Sequence, residues 1–300
     1  MARKYLCMIL HKYAGGKMAK PKIAICYDFD QTLSTRNMQE FDFMKMTGMS
    51  ADEFWAMCAK FTQKHGCDNI LTMMKKMIDV LNENRISDHK AKLEEFGKTV
   101  EFFEGVETWF ERINNYAEKL GVEVKHYIIS SGIKEIIEGT SIAKYFDQIY
   151  ACYYVYDDDG RAIWPAIAIN YTNKTQFLYR INKGIYDVND HSVNNIMDHD
   201  IRPVPFENFV YIGDSSTDIP SMRTIMKAGG NTICVYNKNK PMQEYIKNLL
   251  VNDKVNFVAE ADYSKNSDLE KIVKGIIKSV KDKTNLKFLT KYQKSKIDKK

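Results

Sequence analysis

The pattern of apolar and polar positions changes character along the chain. Residues 23–27, Ile-Ala-Ile-Cys-Tyr, form an unbroken apolar and β-favouring run, the pattern of a strand buried on both faces. From 36 to 100 the apolar residues recur three and four apart, and no strand is expected there. This stretch predicts a helix over 37–46 and one opened by the capping-box pattern Ser50-Ala-Asp-Glu53 that runs through Phe54, Met57, Ala59 and Phe61. A helix over 68–84 follows, with Ile70, Leu71, Met74, Met77, Ile78 and Leu81 at helical spacing, then one over 87–98. Strands and helices then alternate. Helices are expected over 105–120 (stopped at Gly121), 132–138, 173–183, 219–228, 242–250 and 269–280. Strands are expected over 122–129, 209–212, 231–236 and 255–259. Residues 149–156 and 162–169 flank Asp157-Asp-Asp-Gly160, a hairpin turn, and 184–206 reads as an irregular insertion.

This alternation predicts an α/β fold, a doubly wound parallel (Rossmann-like) sheet with an inserted α-helical cap. The expected organisation is an N-terminal extension over 1–19 and a core made of 20–35 with 100–282. The helical cap spans 36–99, and a basic C-terminal tail covers 283–300. Helices inserted after the first strand would lie over the carboxyl edge of the sheet and close a site there from water.

Charge sharpens this division. Of the net +5, the first 22 residues contribute +6 and the last 36 contribute +8, so the body 23–264 carries −9. Basic ends attract nucleic acid or anionic lipid, but solvated tails are the simpler expectation and nucleic acid is not an expected partner. No apolar run approaches the roughly 18–20 residues that span a bilayer, so no membrane partner is expected. The six cysteines form no C-x-x-C pair, and Cys26 and Cys234 sit in strand-like apolar runs. A reducing cytoplasmic setting is expected.

The candidate chemistry lies where apolar runs end in acids or hydroxyls. The first strand runs into Asp28-Phe-Asp30-Gln-Thr32. Residues i and i+2 of a strand point the same way, and ligands of open α/β sheets bind at the strands' carboxyl ends. Two acids there repel unless a cation or a shared proton relieves them; an ordinary acidic loop has the same pattern. His126-Tyr-Ile-Ile-Ser130-Ser131-Gly132 ends another strand in hydroxyls and opens a helix, a potential anion site. Asn173-Lys174-Thr175 opens a helix with a cation, for which Lys183 is the competitor. Phe209-Val-Tyr-Ile-Gly213-Asp214-Ser-Ser-Thr-Asp218 ends a further strand in two carboxylates four apart.

Taken in this order, these four stretches resemble the motifs of the haloacid dehalogenase-like hydrolase superfamily, in its phosphatase branch, over about residues 20–280. The cap position and the Ser-Gly style of the second motif resemble the phosphoserine phosphatase-like subgroup. The resemblance implies a hydrolase of phosphate monoesters, acting on a small phosphorylated metabolite through an aspartyl phosphate. Asp28 would be the nucleophile and Asp30 the general acid/base. Thr32, Ser130, Ser131, Gly132 and Lys174 would bind phosphate. Asp28, the main-chain carbonyl of Asp30, and Asp214 would hold Mg²⁺, with Asp218 a ligand or an anchor behind it. Many relatives have Gly where Ser215 stands. A phosphomutase or phosphotransferase sharing Asp-x-Asp is the runner-up, and a non-catalytic regulatory or nucleic-acid-binding protein is the other alternative. His191 and His199, with Asp190, Asp198 and Asp200, match no metal-binding spacing and are expected on a surface loop. Among cap residues, Arg36, Trp55, Lys60 and Arg85 are candidates to touch substrate, without a motif to choose between them.

Overall fold

A computed structural model of the chain describes residues 20–239, 244–252 and 254–297. The expected extension over 1–19 lies outside the described residues. Seven strands form one sheet in the order β4-β3-β2-β1-β5-β6-β7. They are β1 (Lys22–Tyr27), β2 (Glu123–Ile133), β3 (Gln148–Tyr156), β4 (Ala162–Ile167), β5 (Phe209–Gly213), β6 (Asn231–Tyr236) and β7 (Phe257–Glu260). Every neighbouring pair is parallel except β3 with β4, the expected hairpin. The α/β doubly wound architecture is therefore the observed one.

β1 lies at the centre because its side chains tolerate no water. Ile23 to Tyr27 are fully buried, between β2 on one side and β5 on the other. The crossovers leave β1 in opposite directions, toward β2–β4 and toward β5–β7, so the sheet's topological switch point falls at its carboxyl end. Behind β1 a polar relay fills the core. The Trp109 indole N–H donates to the Tyr27 hydroxyl at 2.8 Å, and that hydroxyl lies 3.0 Å from His126 Nδ1.

Between β1 and β2 the chain is helical, with α1 (Asp42–Thr47), α2 (Ala51–His65), α3 (Asn69–Glu83), α4 (Lys90–Gly97) and α5 (Val106–Lys119). The Ser50–Glu53 capping box is present at α2, and Asp68 caps α3 by accepting from the Ile70 and Leu71 amides. The helix expected over 37–46 is interrupted at Phe41, which leaves the helical region and separates the short turn Met38–Glu40 from α1.

The remaining helices are α6 (Lys134–Glu138), α7 (Lys174–Lys183), α8 (Ile219–Lys227), α9 (Glu244–Val251) and α10 (Asp268–Ile297). Two depart from expectation. β2 continues through Ser130-Ser131-Gly132 to Ile133, after a register shift beyond Ile129, so α6 opens only at Lys134 and spans five residues. No helix N-terminus lies at Ser130–Gly132. At the other end α10 continues from 280 to 297. Its apolar stripe fades, but lysine is a good helix former, and charge pairs hold the extra turns. Lys287 and Lys291 reach Glu207 at 2.9 Å and Asp200 at 3.0 Å. Residues 283–297 of the expected tail are thus helical, and 298–300 lie outside the described residues.

Candidate active site

The register of β1 and β5 builds the centre. Tyr27 pairs with Ile212, and the Asp28 amide donates to the Ile212 carbonyl at 2.9 Å, which brings the carboxyl ends of the two strands side by side. Asp28, Asp214 and Asp218 each offer an oxygen within 4.8 Å of the others, and no other group of acids, histidines and cysteines among the described residues comes together as a cation site. Hard oxygen donors, several of them carboxylates, are the set a magnesium ion takes.

Lys174, the first residue of α7, is buried at the back of this cluster. Its Nζ lies 3.1 Å from Asp28 Oδ1 and 2.8 Å from Asp218 Oδ1. Desolvation works against the ammonium, but the charges of Asp218 and Asp28 outweigh it and raise its pKa. The competitor Lys183 lies elsewhere, donating to the Val193 and Asn195 carbonyls.

The two acids at the end of β1 differ. Burial pushes the Asp28 carboxyl up and Lys174 pulls it back, leaving it at about 6. Asp30 makes no ion pair among the described residues, and Lys174 acts on it least of the groups around it. Burial and then the Asp28 charge push it up to about 8, against the pull of the Met38 amide that donates to its Oδ1 at 2.8 Å. Gly132 makes room for this contact. A Cβ there would lie 2.0 Å from Met38 Cε and 3.1 Å from Asp30 Oδ2. For Asp214, burial and then the charges of Asp28 and Asp218 raise the pKa well above the ordinary carboxylate range.

Asp218 is fully buried and hydrogen-bonded on both oxygens. Oδ1 accepts from Lys174 Nζ and from the Tyr211 hydroxyl at 2.8 Å, and Oδ2 accepts from the Ser215 amide at 3.3 Å. These bonds make it an anchor for Lys174 and for the loop carrying Asp214. Gly213 is required beside it, since a Cβ would lie 2.5 Å from Asp218 Oδ2. Thr32 is likewise buried, and its hydroxyl donates to Asp214 Oδ1 at 3.3 Å. It does not line the cavity, contrary to what a phosphate contact requires.

A cavity of about 540 Å³ opens over the cluster, lined by Asp28, Asp30, Ser130, Ser131, Lys174 and Asp214 on the sheet side. The Ser130 hydroxyl accepts from the Gly132 amide at 3.0 Å, and Ser131 Oγ is buried without a partner. Gln31 and Tyr171, both on the wall, are non-glycine residues with positive φ (56° and 37°). Such strain is characteristic of functional sites. Across the cavity stand residues of the 36–99 block, including Gln39, Trp55, Thr62 and Met73. Of the four cap candidates only Trp55 lines it; Arg36 pairs with Glu101 at 3.6 Å instead. Asn170 ties the two sides together, donating to Asp68 Oδ2 and Asn69 Oδ1 at 2.9 Å. His199 lies far from this centre in the 184–206 loop, paired with Glu207 at 3.1 Å.

Gln39, Asn170, Tyr171 and Tyr211 carried no signal in the sequence. The first three lie outside any motif, and Tyr211 reads as one more apolar residue of β5.

No protein-family model matches the chain. An uncharacterized protein of Borreliella burgdorferi is 30% identical over 275 residues, covering 82% of this chain and 93% of that protein. Among solved structures, a HAD family hydrolase of Salmonella enterica serovar Typhi aligns with a TM-score of 0.53 at 17% identity, over 85% of this chain and 74% of its own. A phosphoserine phosphatase captured as a phospho-aspartyl intermediate analogue aligns at 0.51 and 18% identity, over 85% and 99% of the two chains. A substrate-bound phosphoserine phosphatase complex aligns at 0.51 and 18%, over 85% and 98%. The chain therefore belongs to one family with the Borreliella burgdorferi protein, and its fold is that of the haloacid dehalogenase-like hydrolases in their phosphoserine phosphatase-like branch.

Proposed function

We propose that the chain is a Mg²⁺-dependent phosphate monoester hydrolase acting on a small phosphorylated metabolite through an aspartyl phosphate on Asp28. The observation that carries this reading is that Asp28 and Asp30 open on one cavity while the buried Lys174 pairs with Asp28 alone of the two. Asp28, against Lys174, lies at about 6 and is ionised at neutral pH. Asp30, not ion-paired with Lys174, lies at about 8 and keeps its proton. Such a divergence supports Asp28 as the nucleophile and Asp30 as the acid.

In the first step an oxygen of Asp28 attacks phosphorus. The ester P–O bond breaks, its electron pair leaves with the alcohol oxygen, and that oxygen takes the proton of Asp30. In the second step Asp30, now ionised, accepts a proton from water as the water oxygen attacks phosphorus. The acyl phosphate bond then breaks, Asp28 leaves as carboxylate, and inorganic phosphate is released. Lys174, Ser130 and the unpartnered Ser131 hydroxyl hold the non-bridging oxygens, where charge stabilisation matters most. The Gly132 amide is already directed to Ser130 Oγ.

The residues fit a magnesium ion. Asp28, Asp214 and the main-chain carbonyl of Asp30 would hold it, and Asp218 would steady the set from behind. When bound, the ion supplies positive charge against the phosphate and the crowded carboxylates. Residues 36–99 act as the cap that excludes water during the first step. The cytoplasm suits five described cysteines that are all free.

Aryl phosphate turnover tests the reading. Activity should vanish in EDTA, return with Mg²⁺ and be lost in Asp28→Asn. In Asp30→Asn an acid quench should find a burst of phenol and phosphate retained on the protein. General acid–base assistance is worth about 10²–10⁴-fold, so slow turnover should follow the burst. Full activity in chelator or in Asp28→Asn would refute the mechanism. Phosphate passed to a second substrate hydroxyl instead of to water would make the protein a phosphotransferase.

A further inference from the structure

The wall of the cavity away from the reacting centre is neutral. Among the described lining residues, the charged side chains are Asp28, Asp30, Lys174 and Asp214, all of them at the centre itself. The remainder of the wall is built from amides, aromatics and apolar groups, with Asn37, Gln39, Gln63 and Asn69 beside Trp55 and Tyr171. A leaving group bearing a carboxylate would meet no cation there, while the sheet side holds a cluster of carboxylates. A leaving group bearing an ammonium would meet no acid outside the catalytic set. A charge desolvated without a partner costs several kcal/mol in general, so this wall selects against both.

What the wall offers is hydrogen bonding without charge. Gln39 is buried (2% exposed), and its Oε1 has no hydrogen-bond partner, while its Nε2 meets only the Met73 sulfur at 3.4 Å. A buried amide oxygen in this state is an acceptor awaiting a hydroxyl or N–H donor. Trp55 already directs its indole N–H to Glu40 at 3.1 Å, so what it offers the cavity is ring surface. An aromatic wall and amide acceptors together suit a molecule with C–H faces and hydroxyl edges.

We propose that the phosphate ester turned over here has an uncharged, hydroxyl-bearing leaving group, a sugar or a nucleoside, and that Gln39 is a residue that selects it. The inference rests on the phosphatase reading above and narrows its substrate class. A site built to bond a hydroxyl discriminates strongly against analogues that lack it, because its own polar group is then left unpaired.

The test is a comparison of kcat/KM in Mg²⁺ for a hexose 6-phosphate, a nucleoside 5′-monophosphate, n-butyl phosphate, phosphoserine, phosphocholine and 3-phosphoglycerate. An aryl phosphate is run alongside. At least one of the first two should exceed every charged ester and butyl phosphate by about 100-fold, and which of the two leads identifies the sugar or the nucleoside as the source. Gln39→Met, close in shape but without the acceptor, should lower kcat/KM for the preferred ester at least tenfold more than for the aryl phosphate. A thermal melt shows whether the variant is folded, and Gln39→Leu, which also lacks the acceptor, provides a second variant with the same expected ratio. Preference for a charged ester, or equal effects of both variants on all esters, would overturn the inference while leaving the hydrolase intact. Absence of aryl phosphate turnover would remove the phosphatase reading and this one with it.

Discussion

Asp214 and Asp218 belong to one acidic cluster, yet replacing each by asparagine should move stability in opposite directions when metal is withheld. Asp218 is fully buried and accepts from Lys174, Tyr211 and Ser215. Asparagine keeps one oxygen but turns an NH₂ either toward Lys174 and Tyr211 or toward the Ser215 amide. Removing one partner of a buried ion pair costs about 3–5 kcal/mol. Because Lys174 retains Asp28 at 3.1 Å, the lower end of about 2–3 kcal/mol is expected. Asp214 is the reverse case, its carboxyl raised by burial and by the charges of Asp28 and Asp218. Its folded pKa exceeds the unfolded one, so it destabilises the fold at neutral pH. The penalty is absent below the unfolded value of 3.8 and grows as pH rises toward the folded pKa. Asp214→Asn removes a partly exposed charge crowded by two others, so it should gain on the order of 1–2 kcal/mol, about the worth of one pH unit of relieved titration. Urea unfolding in EDTA at pH 7 and at pH 4 measures both, with constant m-values as the control. The Asp214→Asn gain should disappear at pH 4. Saturating Mg²⁺ should reverse the ranking at pH 7, since the wild-type protein then gains binding energy that the variant lacks. An Asp214→Asn protein less stable than wild type in EDTA, or a neutral Asp218→Asn, would refute the assignment of one acid as strained ligand and the other as anchor.

Two further outcomes follow from the geometry. Gly213→Ala drives a methyl to 2.5 Å from Asp218 Oδ2, so it should lose about 2–4 kcal/mol by thermal melting and at least tenfold in aryl phosphate turnover; wild-type behaviour in both would mean that the anchor moves freely. His126 is fully buried, and burial holds its pKa down at about 3, so the folded protein keeps the ring neutral. With an unfolded value of 6.5, its contribution is whole above pH 6.5 and is lost as pH falls from there toward 3, roughly 5 kcal/mol in total. Urea unfolding across that range should show this loss in the wild type and a flatter profile in His126→Gln.

The sequence made the sheet legible because its strands obey a simple rule. β1 and β5 are apolar runs buried on both faces, and each ends abruptly in Asp. The helical block was legible from its spacing and its caps, Ser50 and Asp68. The misjudged boundaries share a cause. β2 outruns its apolar residues because β3 continues to pair with it after a register shift, which no local pattern encodes. α10 outruns its stripe because Glu207 and Asp200, 80 and 91 positions away in the chain, receive its lysines. In the site, acids and the lysine stood in motifs, but Thr32 faces Asp214 and not the cavity, and Gln39 was invisible. A buried glutamine with one unpartnered oxygen is a property of surroundings, and surroundings are set by the packed fold.

The hydrogen bond from the Met38 amide to Asp30 has an implication for how such a protein can be recombined. Met38 belongs to the root of the helical block, and its sulfur also accepts from the Ile133 amide at the end of β2. One residue at the stem of this block therefore fixes a carboxyl at the sheet's edge and braces the strand beside it. A chimera that exchanges the whole of 36–99 for a foreign helical block would replace one wall of the cavity and the support of Asp30 in the same cut. A crossover placed after Glu40 keeps the stem with the sheet and lets the rest be exchanged as a module.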